Sequence, residues 1–319
     1  MSSQALPTVR AAFTDLIDYA GLFPPARLAT SDALAEYAAA RAGSAAWMLG
    51  RFIVPASRAA EAVGQQSSAG FGRLEASVIA DVPLDPYRWF EAIRVRLTEI
   101  AALRADDELT VGSIEVALPP LASARETFAA PIAQLGALID RAGLRDLPIY
   151  VEIPPEASVR GLLGEALAAL NRARLRAKLR CGGLTAEAFP SVAAVAEFVE
   201  AAVHEGVAFK ATAGLHHPVR HLDAATGFRQ HGFLNLLAAA AFARRPRSGA
   251  LAEIVAEEDA RAFSFTDASF GWRGERVSLD EIAAARAAVF TGYGSCSFAE
   301  PVEDLTALGL LAASAPAAT

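Results

Sequence analysis

A closed barrel of eight parallel β-strands, each followed by a helix, is the fold class predicted by three features of this sequence. Short β-type runs alternate with long Ala-, Leu-, Glu- and Arg-rich helical runs. Most repeats take roughly 30 to 40 residues, the length of a βαβ unit. Eight such strands within 319 residues favour closure into a (β/α)8 TIM barrel over an open sheet. No Gly-x-Gly-x-x-Gly follows the first strand, which weakens a dinucleotide-binding open sheet further.

Taken in order, the strands are expected at residues 16–20, 47–54, 74–81, 111–118, 149–153, 177–181, 207–212 and 263–266. Helical segments fall between them at 31–42, 57–65, 87–104, 130–142, 159–172, 192–205 and 232–243. An extended loop and helix, about 214–262, follow strand seven. A helical extension, about 279–319, closes the chain, and within it residues 291–298 (TGYGSCSF) read as a Gly/Ser loop. No Pro/Gly/Ser-rich linker divides the sequence, so residues 1–319 are expected to form a single domain.

Composition narrows the function classes. Hydrophobic residues make up 53% and charged residues 20%, as in a globular chain. No apolar run reaches the ~18 residues of a membrane span, and residues 1–10 show no signal-peptide pattern. A net charge of −7 argues against nucleic acid as partner, because phosphate backbones require a basic face. Cys181 and Cys296 make no metal-ligand spacing and fit a reducing, cytoplasmic setting. The expected partner is a small molecule, and apolar helix surfaces allow a homo-oligomer.

Side chains alternate along a strand, so each strand sorts into two faces. Setting the apolar face against the helices leaves Asp18, Arg51, Asp81, Glu115, Glu152, Lys178, Arg180 and Lys210 pointing inward, with Thr212 beside them. Unpaired buried ions cost several kcal/mol each, and barrel interiors are ordinarily filled by Val, Ile and Leu. The charges therefore mark either a set of filling ion pairs or an active site at the strand C-termini, and the second is the reading adopted.

Of 29 basic residues only Lys178 and Lys210 are lysines. Codon bias explains why lysine is rare but not why both survivors point inward from neighbouring strands. Arg cannot act as a neutral amine, whereas a lysine whose pKa is lowered by burial or a nearby cation can. In Lys178-Leu-Arg-Cys-Gly-Gly and Lys210-Ala-Thr-Ala-Gly the sequence resembles the Schiff-base aldolases of the deoxyribose-phosphate aldolase type. Those carry a lysine on strand six in a Lys-Thr-Ser-Thr-Gly context and another on strand seven before small residues and Gly. Arg180 and Cys181 depart from the strand-six pattern, and the Lys210 segment is closer to it. The resemblance thus implies an imine-forming lysine at 178 or 210, with the order of roles open. Residues 18–25 (DYAGLFPP) and 214–218 (GLHHP) are similar to an uncharacterised bacterial (β/α)8-barrel family, a likeness that implies no activity.

Three further features bear on chemistry. Asp81, Glu115 and Glu152, from consecutive strands, could hold Mg²⁺; alternatively Glu152 serves as acid and base beside an imine, assisted by Asp18 or Asp81. His216, His217 and His221 cluster after strand seven and, with Arg51, Arg180, Glu115 and Thr212, are candidate substrate contacts. The primary expectation is a cofactor-independent lyase of aldolase type acting on a small anionic, oxygen-rich metabolite. The alternatives are a Mg²⁺-dependent lyase or isomerase and a non-catalytic binding or assembly protein.

Overall fold

In the computed structural model, residues 5–312 are described except 67–69, 71, 225 and 246–249. The barrel strands are β1 (Ile17–Tyr19), β2 (Leu49–Pro55), β3 (Leu74–Ile79), β4 (Leu109–Ala117), β5 (Ile149–Glu152), β6 (Arg176–Arg180), β7 (Phe209–Thr212) and β8 (Phe290–Ser295). Each pairs in parallel with its neighbours, and β8 pairs with both β7 and β1, so the sheet closes. The chain is a single (β/α)8 barrel. Parallel neighbours need long crossovers, and these are the helices Thr30–Ala42, Ala59–Gln66, Trp89–Leu103, Ala129–Arg141, Leu163–Arg172 and Val192–His204, with further helices before β8.

The outward strand residues are apolar. Phe52, Val54, Val78, Ile114, Val116, Val151 and Ala211 are buried under the helices. Helix Phe233–Phe242 (FLNLLAAAAF) is apolar all round and buried along its whole length, as expected of a helix enclosed on every side. Phe233 stacks on Tyr293 of β8 at 5.4 Å. The one polar residue, Asn235, is satisfied: its Oδ1 accepts the Arg220 N–H, and its Nδ2 donates to the carbonyls of Ile254 and Glu257.

The eighth strand departs from the sequence expectation. Phe263–Phe265 is a strand, but it lies outside the barrel, in an antiparallel sheet with Ser269–Trp272 and Glu275–Ser278. Phe265 packs there on Phe270 and Phe13. The closing strand is the Gly/Ser run expected to be a loop, so the C-terminal segment is not purely helical. Helix Leu279–Ala288, opened by a capping box of Ser278 and Glu281, leads into β8, and helix Ala299–Ala307 follows it. Residues 313–319 of the expected extension lie outside the described residues, as do 225 and 246–249 of the expected 214–262 segment.

Glycine has a low strand propensity, so local sequence points away from the correct answer here. The closed sheet demands the small residue at 292, where a Cβ would lie 2.9 Å from the Leu16 carbonyl oxygen; a Cβ on Gly294 would press on the end of the Ile53 side chain, at 2.8 Å from its Cδ1. Glycine inside a strand marks such a close approach. Gly292→Val should therefore cost about 1–3 kcal/mol through overpacking, read as a lowered midpoint in urea; an unchanged midpoint would show that β8 has room to spare.

Candidate active site

Six of the eight inward charges predicted from alternation converge in the barrel lumen. Glu152 is the register partner of Lys178, and Lys178 that of Lys210, across β5, β6 and β7. Glu115 reaches between the two lysines: Lys210 Nζ donates to its Oε1 at 2.6 Å, and Lys178 Nζ lies 2.8 Å from its Oε2. Lys210 also donates to Asp18 Oδ2 at 2.6 Å. Lys178 lies 3.2 Å from Glu152 Oε2, and Arg180 forks onto the same carboxylate, with Nε 2.7 Å from Oε1 and Nη2 3.3 Å from Oε2. Asp18 is held from below by the Arg51 backbone N–H, at 2.7 Å from Oδ1. Three carboxylates thus face three cations in one chain: Asp18, Lys210, Glu115, Lys178, Glu152, Arg180.

Burial makes these pairings consequential. Glu115 is 1%, Lys210 2% and Lys178 6% exposed. Burial alone would raise the Glu115 carboxyl, but Lys178 and Lys210 outweigh it and hold the carboxyl well below the usual range. Burial likewise opposes the charge on Lys210, and Asp18 and Glu115 overcome it, keeping this ammonium protonated. The expectation that a neighbouring cation would depress the lysine pKa is corrected at Lys210, because a carboxylate stands between the two ammonium groups. Glu152 is also lowered: burial opposes its charge, while Lys178 and Arg180 together prevail.

Small residues that sequence reasoning left without a role complete the floor. Ser77 donates to Glu115 Oε1 at 2.8 Å and in turn accepts from Ser113 at 2.8 Å. The Tyr150 ring lies 5.5 Å from Lys210 Nζ, in reach of a cation–π contact. Its hydroxyl accepts from Arg176 and pairs with Thr291 of β8, each at 2.9 Å. Their inward position on the strands was a usable signal. What could not be read was which distant partner each would meet across the lumen.

Several predicted residues lie elsewhere. Asp81 is outside the lumen. β3 ends at Ile79, and the Asp81 N–H turns back onto the Ile79 carbonyl, so strand alternation no longer applies. Its carboxylate accepts the backbone N–H and hydroxyl of Ser57, at 3.1 and 2.5 Å, and faces Arg96 at 3.5 Å. Asp81, Glu115 and Glu152 therefore do not form the three-carboxylate cradle considered for Mg²⁺, and both Glu115 oxygens face ammonium groups. Among the described residues, no group of three or more His, Cys, Asp or Glu side chains is placed to hold a metal ion. Arg51 points inward but towards the N-terminal end of the barrel, where its Nε lies 3.2 Å from Glu75 Oε1; its long side chain reaches the layer below the lysines.

The histidines have partners of their own. His217 Nδ1 pairs with Asp304 at 2.7 Å, its ring meets that of His221 edge-on at 4.6 Å, and His221 Nδ1 reaches the Val219 carbonyl at 3.1 Å. His216 Nδ1 pairs with Glu300 at 2.8 Å. The loop after β7 is thereby fastened to helix Ala299–Ala307 rather than aimed at the lysines. Thr212 ends β7 at the mouth as the register partner of Arg180. The loops after β6 and β7 also touch: Gly214 adopts φ +65°, and a Cβ on Gly182 would come within 2.9 Å of its Cα.

Replacing Glu115 by Leu should cost about 3–5 kcal/mol, since it removes the carboxylate that two buried ammonium groups share; calorimetry on the purified variant would measure it. Glu152 has a folded pKa below its unfolded value, so its stabilisation is present above the unfolded carboxyl range near about 4.3 and is lost as pH falls through the folded value. The drop in Tm on acidification below that range should be smaller in Glu152→Gln than in the parent protein; equal drops would refute the pairing.

No protein-family model matches the chain, and no curated protein matches its sequence. Among solved structures, a tetrameric deoxyribose phosphate aldolase from Aeropyrum pernix is similar in fold: the TM-score is 0.51 at 13% identity, over 95% of this chain and 93% of that one. At this identity the likeness bears on the fold, which is that of the eight-stranded barrel described above.

Proposed function

We propose that this protein is a lyase of the aldolase type that acts on a small anionic, oxygen-rich carbonyl metabolite through an imine at Lys178. The observation that carries this reading is the pair of buried lysines on adjacent strands, bracketed by Asp18, Glu115 and Glu152. Lys210 is clamped by two carboxylates at 2.6 Å and stays charged, so it suits the role of a fixed cation. Lys178 has a longer contact to Glu152, at 3.2 Å, and sits beside the mouth-facing Arg180. It is the better nucleophile by position. The similar fold of a solved deoxyribose phosphate aldolase supports the same reading.

The chemistry then follows. Lys178 passes its proton to Glu152 and attacks the substrate carbonyl carbon; Glu152 gives that proton back to the carbonyl oxygen, which leaves as water as an iminium forms. Glu152, again a carboxylate, takes the proton of the substrate hydroxyl, the carbon–carbon bond breaks, and its electrons enter the iminium to give an enamine. Glu152 returns a proton to the enamine carbon, and water releases the product. The Lys210 ammonium holds Glu115 and Asp18 in place and offsets charge near the reacting atoms. Arg180, whose side chain is 43% exposed, meets the substrate's anionic group.

Borohydride reduction in the presence of candidate aldehydes and ketones should leave a covalent adduct on Lys178, seen by peptide mass spectrometry and lost in Lys178→Arg. Turnover of a substrate with no adduct on either lysine would sink the imine mechanism, and unchanged function in Lys178→Arg would favour a binding protein. Glu152→Gln should lower kcat by about 10²–10⁴-fold while adduct formation at equilibrium persists.

A further inference from the structure

A second group of reactive side chains sits at the rim, apart from the lysines. Cys296 follows the end of β8 by one residue, and its Sγ lies 3.8 Å from Nε2 of His216 in the loop after β7. On its far side, His216 Nδ1 lies 2.8 Å from Glu300 Oε2, on the first turn of helix Ala299–Ala307. Three segments thus bring together a thiol, an imidazole and a carboxylate in the order in which an activated cysteine needs them. The carboxylate orients the ring and favours its charged form, leaving Nε2 to take the thiol proton.

We propose that Cys296 is a thiolate paired with the His216 imidazolium, and that it is the site at which this protein is oxidised by small uncharged hydroperoxides. Cys296 is 9% exposed, against 0% for Cys181. The His216 ring is consistent with the pairing. Burial would lower its pKa, but Cys296 and Glu300 raise it to about 9. Cys181, the other free thiol, provides the internal contrast: it is fully buried, and burial pushes its thiol pKa up.

The step balances without a further reactant. The Cys296 proton passes to His216 Nε2. The sulfur attacks one peroxide oxygen, the S–O bond forms as the O–O bond breaks, and the departing hydroxide takes the proton back from His216 to leave as water. Sulfur is oxidised by two electrons to a sulfenic acid, and the peroxide is reduced. The reaction does not depend on the function assigned to Lys178, so a protein inactive as an aldolase would still show it.

The test is timed exposure of the intact protein to hydrogen peroxide, each sample then being unfolded in dimedone and its labelling quantified by peptide mass spectrometry. Cys296 should label at least tenfold faster than Cys181. His216→Asn should reduce Cys296 labelling at least tenfold, and Glu300→Gln should reduce it several-fold. Because His216 also fastens a loop, the thiolate absorbance of the unaltered protein at neutral pH supplies a second measurement: it should be present and disappear in Cys296→Ser. Equal labelling of the two cysteines, undiminished labelling in a folded His216→Asn, or absence of the thiolate band would each overturn the proposal.

Discussion

The carboxylate of Glu115 is the constraint on which the interior of this barrel depends. Its two oxygens face two ammonium groups from adjacent strands, and at 1% exposure water does not screen the contact. Remove it and two buried lysines on paired strands would face each other with no carboxylate between them, balanced only by Asp18 and Glu152. With it, the lumen carries an alternating chain of charges whose formal sum is zero. That arrangement explains how a barrel can forgo the usual apolar filling. It also sets the electrostatics of the candidate chemistry, because the same carboxylate that keeps Lys210 charged leaves Lys178 shared with Glu152.

The outer layers serve this interior in a simpler way. Strand residues facing outward meet apolar helix faces, and the wholly buried helix Phe233–Phe242 packs against β8. Its single asparagine binds the backbone of two other segments. The histidine loop, in turn, is anchored to the helix after β8 by the His216–Glu300 and His217–Asp304 hydrogen bonds. The rim above β7 and β8 is therefore built as one unit, and the Cys296–His216–Glu300 group lies within that seam.

Much of this was legible in the sequence because a strand has a period of two. Alternation alone selected Asp18, Glu115, Glu152, Lys178, Arg180 and Lys210, and all six meet in one chain of contacts. It failed where the backbone left the strand, as at Asp81, two residues past the end of β3. It was incomplete for Arg51, whose inward direction was right but whose long side chain reaches down the barrel to Glu75. It misread β8 because the packing that requires Gly292 involves the Leu16 backbone, more than 200 positions away in sequence. Partners such as Glu300 for His216 are set by loop geometry, which carries no period to read.

The contact between Gly182 and Gly214 ties together the loops that follow the lysine strands. Their backbones approach just past β6 and β7, and the Phe189 ring packs against both. A methyl group at Gly182 would meet that ring at 2.8 Å and the Gly214 Cα at 2.9 Å, so alanine there would act as a wedge between the two loops at the ends of the strands that carry Lys178 and Lys210.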